Sequence, residues 1–230
     1  MLFRSIEIVD TEDDPIAASK KAVEMVKEGK CAALMKGSLH TEELMSAVVS
    51  RDGLRTQNRI SHLFVFDIAS YPKLLGISDC VVNIAPDVEQ KKHILRNSLE
   101  ALAKLKIMAP KVAIVAATEV INPAMPATTD ANQLVEFHQT NPIYPGAIIE
   151  GPFGFDNAIS SVSAQIKGIR SSVSGDPDLI LVPDLQVGVR ELIQLQTLVQ
   201  LLPQRLGLLR LQPLPQVRRL VQEAGHGLDP

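Results

Sequence analysis

The chain has 230 residues, 46% of them hydrophobic, and a formal charge of −3 from 23 basic and 26 acidic side chains. That is enough to bury a substantial core, and there is no basic block of the kind that follows a nucleic-acid backbone or an anionic membrane. No apolar run reaches the ~18 residues that span a bilayer, and the first residues lack the charged-then-apolar order of an export signal. Cys31 and Cys80 each sit in or beside a short apolar run, the setting of a buried reduced thiol, and this suits a cytoplasmic protein.

From about residue 11 onward helix and strand patterns alternate, which predicts an α/β fold with mostly parallel strands. Asp13 and Asp14 mark the start of a first helix, with Pro15 in its first turn, Ile16, Val23 and Val26 as an apolar stripe, and Gly29 to end it. Strand-type runs are expected at Cys31 to Met35, Leu63 to Phe66, Cys80 to Asn83, Val112 to Ala117, Ala147 to Ile149 and Leu179 to Val182. Between them, Asp87 with Gln90 three residues later reads as a capping box opening a helix faced by Leu95, Leu99 and Leu102. Another helix is expected near Thr129, a turn at Gly151-Pro152, and a weaker helix from about Asn157 to Lys167.

Polar residues follow each of these runs directly: Lys36-Gly37, Asp67, Asn83, Thr118-Glu119, Glu150-Gly151 and Pro183-Asp184. Any one of them is explained by a strand ending in a loop. Six in succession point to the ligand-bearing edge of an open parallel sheet.

From Val187 to Pro230 the alternation stops. Twelve Leu and seven Gln fall among these 44 residues, and Lys, Ser, Asn, Phe, Tyr and Met are absent. Leu192, Leu195, Leu198, Leu202 and Leu206 can form one helical stripe, broken by Pro203, Pro213 and Pro215. The plain reading is an amphipathic helix with a loose tail; the competing one is a shifted reading frame near Val187.

Two segments carry chemistry suited to anions. In the first, Lys36 and Gly37 precede His40, Thr41, Glu42 and Glu43 at a helix start, where free N–H groups and the helix dipole favour negative charge; Thr41 as an ordinary N-cap is the alternative. In the second, Gly53-Leu54-Arg55-Thr56, Arg59 and Ser61-His62 form a basic turn suited to phosphate, because guanidinium donates paired hydrogen bonds; a solvated Arg on a loop is the default alternative. The stretch Asp156-Asn157-Ala158-Ile159-Ser160 reads as an Asp-capped helix start. None of the five His has the paired spacing of a zinc site, and neither a Gly-x-Ser-x-Gly elbow nor a Gly-x-Gly-x-x-Gly loop is present.

Taken in order, Leu34-Met35-Lys36-Gly37-Ser38-Leu39-His40-Thr41, Gly53-Leu54-Arg55-Thr56, Ile60-Ser61-His62, Val82-Asn83-Ile84-Ala85-Pro86, Asn122-Pro123-Ala124-Met125-Pro126-Ala127-Thr128, Gly151-Pro152 with Phe155-Asp156-Asn157-Ala158-Ile159-Ser160, and Val182-Pro183-Asp184-Leu185 resemble the phosphate acetyltransferase and butyryltransferase family. The version here is most like the acyltransferase half of proteins that join an enoyl-CoA hydratase domain to a phosphate acetyltransferase domain. The resemblance implies two α/β domains of the isocitrate-dehydrogenase-like type, incomplete in this chain, with the active site between them and a homodimer at full length. It also implies transfer of an acetyl or butyryl group between coenzyme A and inorganic phosphate, with acyl-CoA and phosphate as small-molecule partners and no metal or prosthetic group. The implied binding residues are Lys36, Gly37, His40, Thr41, Arg55, Ser61 and His62, then Asn83, Asp156, Asn157 and Asp184. The expected division is 1–58 as the remnant of a first domain, 59–186 as a second, and 187–230 as an anomalous tail.

The sequence also departs from the family. An opening strand and helix have no counterpart, Ser46 stands where many relatives carry Arg, and the catalytic Ser, Arg and Asp of the family match no residue here, so the chain by itself is expected to be inactive. A non-catalytic regulatory domain, as at the end of some malic enzymes, and an oxidoreductase of the same broad fold are the rival readings.

Overall fold

Asp14 opens the first helix as the sequence predicts: its Oδ1 accepts from the backbone N–H of Ile16 at 2.9 Å, and helix α1 (Pro15–Lys27) carries Pro15 where a missing N–H costs nothing. Gly29 follows in the left-handed region at φ +72°. The computed structural model describes residues 8–11, 13–193 and 195, and the chain divides into two compact units, 1–59 and 60–230.

In the first unit, α1 packs on helix α2 (Thr41–Val48) through Val23, Ser19 and Ala47, all buried. The predicted stripe is narrower than its pattern: Val26 is half-buried and Ile16 is exposed. Cys31 to Met35 is not a strand, which corrects the expectation. A strand needs a ladder partner for its N–H and C=O groups, the described residues of this unit hold helices only, and Met35 is 81% exposed. Gly53 is held against the end of α2, where a Cβ would fall 2.4 Å from the carbonyl oxygens of Ala47 and Val48.

The second unit is a five-stranded sheet in the order β1-β2-β5-β3-β4, with β1 (Phe64–Phe66), β2 (Leu75–Ser78), β3 (Lys111–Val115), β4 (Ile148–Phe153) and β5 (Leu179–Leu181). β2, β5, β3 and β4 are mutually parallel, while β1 runs antiparallel to β2. In the inner strands β2, β3 and β5 side chains alternate across the pleat and are buried on both faces, as the run of apolar residues in a parallel strand requires. Val112, Ile114, Leu179 and Leu181 meet Leu95, Leu99 and Leu102 of α3 (Val88–Lys104) and Leu134 of α4 (Pro126–Thr140). On the other face, Ala113, Val115, Ile180 and Val182 meet Phe153, Ala158 and Val173. The capping box at Asp87 and Gln90 forms with both bonds present.

Four local expectations are corrected. Cys80 to Asn83 is a loop, and the strand lies just before it at Leu75–Ser78, where Gly76 lets the backbone pass within van der Waals reach of Leu179. Helix α4 begins at Pro126 rather than near Thr129. Gly151-Pro152 lies inside β4 at an irregularity of the β3 register and makes no turn between elements; Gly and Pro gather at such bulges, and a Cβ on Gly151 would fall 2.7 Å from the Ile114 carbonyl oxygen. The expected helix 157–167 is two short helices, α5 (Phe155–Ile159) and α6 (Ser161–Ile166), parted at Ser160, whose hydroxyl accepts from Ser163 N–H at 3.2 Å.

After β5, Asp184 caps a further helical stretch, residues 185–193, by accepting from Val187 N–H at 2.9 Å. The first two Leu of the tail's stripe, Leu192 and Leu195, are buried in the same cluster as Ile77 and Val182. Leu198, Leu202, Leu206, Pro203, Pro213 and Pro215 lie outside the described residues.

Candidate active site at the C-terminal edge of the sheet

Parallel strands turn all their C-terminal ends toward one edge, and an antiparallel neighbour brings its N-terminal end to the same edge. Ser61 and His62 before β1, Asn83 after β2, Asp156 and Asn157 after β4, and Asp184 after β5 therefore share this edge. Glu119 joins them after β3. Asp67 follows the antiparallel β1 and so belongs to the opposite edge. Glu150 lies within β4, where the hydroxyls of Ser171 and Ser172 donate to it; neither residue is a strand-end ligand of the expected kind.

The β1/β2 side of the edge is tightly bonded. Asp79 Oδ1 accepts from the N–H groups of Val81 and Val82 at 2.9 and 3.0 Å, and its Oδ2 accepts from Asn83 Nδ2 at 2.5 Å. Asn83 also donates to the Ile60 carbonyl at 3.0 Å, Ser78 Oγ donates to the His62 carbonyl at 2.7 Å, and Asn97 of α3 donates to Ser61 Oγ at 2.9 Å. Residues 60–62 are thus fixed from both sides. The His62 ring packs on Phe64 with centroids 4.2 Å apart, and its Nδ1 is buried with no hydrogen-bond partner. Burial, with the Asp79 charge adding to it, pushes the Cys80 thiol up to about 12, so this cysteine offers no thiolate near neutral pH.

On the β3/β4 side, Asn157 is fully buried. Its Nδ2 donates to Glu119 Oε1, while its Oδ1 is buried without a partner. Lys167 Nζ reaches the same Glu119 oxygen at 2.9 Å and Asp156 Oδ2 at 3.3 Å. The hydrogen bond from Lys167 holds the Glu119 carboxyl below the usual carboxylate range against the opposing effect of burial. Gly154 is pressed into this group, since a Cβ there would fall 2.9 Å from Asp156 Oδ1 and 3.0 Å from Glu119 Oε1. Asp79 and Lys167 were not among the candidates named from sequence. Asp79 sits one residue past a strand whose position the apolar pattern misjudged, and Lys167 reaches the edge only because α6 folds back.

The candidates of the first unit stand differently. Lys36 Nζ donates to the carbonyls of Gly37 and Leu39 at 3.1 and 2.7 Å. His40, not Thr41, is the N-cap of α2, and Thr41 is its first helical residue. The His40 N–H is taken by Glu43 Oε2 at 2.8 Å, so the positive end of this helix is already met by a carboxylate of its own. Arg55 is exposed on the loop after α2. The wide groove of this unit, about 990 Å³, is lined by residues such as Lys20 and Glu24 of α1, Ala47 of α2 and Ser50 beyond it, and by none of the candidates. Among the described residues no His, Cys, Asp or Glu cluster could hold a metal ion, and no helix is long and apolar enough to cross a membrane.

The chain is 47% identical over 173 residues to a phosphate acetyltransferase of Rickettsia felis, covering 74% of this chain and 49% of that protein. It is 37% identical over 189 residues to a phosphate butyryltransferase of Clostridium acetobutylicum, covering 82% and 62%. The chain thus spans about half to three fifths of the length of these curated relatives. Among solved structures it superposes on a branched-chain phosphotransacylase from Enterococcus faecalis V583 with a TM-score of 0.74 at 27% identity, covering 85% of this chain and 72% of that one. The family model described as "Phosphate acetyl/butaryl transferase" matches residues 6–201, and with most of its length inside that match the chain belongs to the phosphate acetyl/butyryl transferase family.

Proposed function

We propose that this protein is the acyl-transferring part of an acyl-CoA:phosphate acyltransferase, with an acetyl or butyryl group as cargo. The observation that carries the reading is that Ser61, His62, Asn83, Asp156, Asn157 and Asp184 gather at the C-terminal edge of the parallel sheet, the edge where open α/β sheets bind ligands, in a chain of this family. The coenzyme A thiolate attacks the carbonyl carbon of the acyl phosphate; the carbon–sulfur bond forms, the carbon–oxygen bond to phosphate breaks, and phosphate leaves with the electron pair. What the protein supplies is orientation of the two substrates and hydrogen-bond donors for the charge on the carbonyl and phosphate oxygens. This reading assigns Cys80 no acyl-carrying role, since the residue is buried and its thiol is pushed up to about 12. The chemistry calls for no metal or prosthetic group. Homodimer assembly and a cytoplasmic location belong to the same reading.

The test mixes acetyl-CoA or butyryl-CoA with phosphate and follows free thiol, using a protein of the family's full length. Phosphate-dependent thiol release is expected, and silence with every short acyl-CoA would defeat the reading. The 230-residue chain assayed beside it is expected to release none, since the family's catalytic Ser, Arg and Asp match no residue here.

A further inference from the structure

We propose that His62 is a substrate-binding residue that works as one defined tautomer, with its proton on Nε2, donating to an oxygen of the phosphate-bearing substrate. The inference rests on the reading of this edge as the phosphate-binding site and adds which atom does the binding. Nδ1 is sealed from solvent and has no acceptor, whereas Nε2 is not among the sealed atoms and has no partner among the described residues. A neutral imidazole carries one N–H and one bare nitrogen. A proton on Nδ1 would bury a donor with nothing to receive it. Orphaned buried N–H groups are rarer than under-satisfied acceptors, and a proton on Nε2 keeps the donor where water or a ligand can meet it.

Turning the ring by 180° swaps each nitrogen with a ring carbon and not with the other nitrogen, and the residue itself is anchored. Its backbone carbonyl is held by Ser78 Oγ at 2.7 Å, the preceding Ser61 Oγ by Asn97 at 2.9 Å, and the Ile60 carbonyl by Asn83 at 3.0 Å. Phe64 packs against its face at 59°. Nε2–H is therefore a donor whose position the backbone sets in advance, at the end of the sheet where the oxygens of a phosphate or acyl phosphate would lie. A hydrogen bond to such a charged oxygen is stronger than one to a neutral acceptor.

The experiment uses the full 230-residue chain, labelled with ¹⁵N, and inorganic phosphate as the probe. Two-bond ¹H–¹⁵N correlation spectra of the free protein are expected to show His62 as the Nε2–H tautomer, and an Nδ1–H pattern would overturn the inference. Phosphate is expected to shift the His62 ring resonances saturably. Shifts elsewhere with this ring unmoved would overturn the inference and leave the site reading standing, while no shift anywhere would defeat both. Gln places an amide N–H near the position of Nε2, and Asn near that of Nδ1. His62→Gln is thus expected to keep phosphate affinity within about threefold, and His62→Asn to weaken it by roughly tenfold or more, the scale of one lost charged hydrogen bond. Equal losses in the two variants would mean a structural role only, and would also overturn the inference.

Discussion

The two edges of the second unit's sheet both carry polar side chains but treat them differently. At the N-terminal edge Lys73 contacts Asp176 and Asp178 at 3.0 and 2.9 Å, Lys111 Nζ contacts Asp176 at 2.6 Å, the Lys111 N–H donates to Asp178 at 2.8 Å, and Tyr71 OH donates to the Pro177 carbonyl at 2.6 Å. Two cations meet two carboxylates, and no described side-chain atom there is both buried and unpartnered. The C-terminal edge buries His62 Nδ1 and Asn157 Oδ1 without partners, each at a cost that a closed network avoids. The third such atom, Glu191 Oε2, lies in the helical stretch that leaves the same edge, and burial raises its carboxyl above the ordinary value. Polar groups at the first edge serve the fold, while those at the second are arranged for something besides the fold.

The contrast can be broken most directly at Asp178. Asp178→Ala removes the acceptor of the Lys111 N–H and one partner of Lys73, and is expected to cost about 2–3 kcal/mol of unfolding free energy in urea melts, the range for stranding buried donors, while phosphate binding stays unchanged. A loss of phosphate binding with intact stability would reverse the assignment of the edges.

A smaller effect is expected from pH. The hydrogen bond from Lys111, opposed by burial and supported by Lys73, lowers the Asp176 pKa below the ordinary aspartate value. A depressed folded-state pKa contributes stability that is fully present above the unfolded value and lost as pH falls through the folded one. Asp176→Asn should therefore flatten the fall in urea midpoint below about pH 4, the ordinary aspartate range, and a wild-type slope in the variant would remove this network from the account.

Thiol labelling sharpens the picture at the other edge. Native protein treated with iodoacetamide at about pH 8 is expected to label at Cys31, which is half-exposed, and not at Cys80, which is buried with a thiol pushed up to about 12. Peptide mass spectrometry reads the outcome directly, and equal labelling would show that β2 and the loop after it open freely. The smallest effect belongs to Glu119→Gln. It keeps an oxygen for Asn157 and gives up only the Lys167 pair, whose side chains are 29% and 43% exposed; a stability change within about 0.5 kcal/mol is expected for so exposed a pair, and a much larger loss would make Glu119 a fold residue like Asp178.

Local chemistry was legible wherever it acts over a few residues. The caps at Asp14 and Asp87, Pro15 in the first turn and Gly29 after the first helix follow from groups that must be satisfied within one turn of chain, so the sequence alone determined them. It also determined the α/β class, through apolar runs such as Val112 to Val115 and Leu179 to Leu181 that are buried on both faces. The ordered motifs from Lys36 to Asp184 carried the family. What only the tertiary structure decided is pairing at a distance. Cys31 to Met35 has strand composition but no ladder partner among the described residues, Leu75–Ser78 is a strand because β1 and β5 flank it, and Gly151-Pro152, a turn signal in isolation, is a bulge beside Ile114. Asp184 reads as a ligand by its motif and serves as a helix cap in the fold, while Lys167 and Asp79 reach the candidate site through contacts that no spacing encodes. The physical reason is the same in each case: a cap or a turn is satisfied by neighbours in sequence, whereas a strand, a buried amide or a sealed imidazole nitrogen takes its partner, or its lack of one, from residues brought alongside by folding.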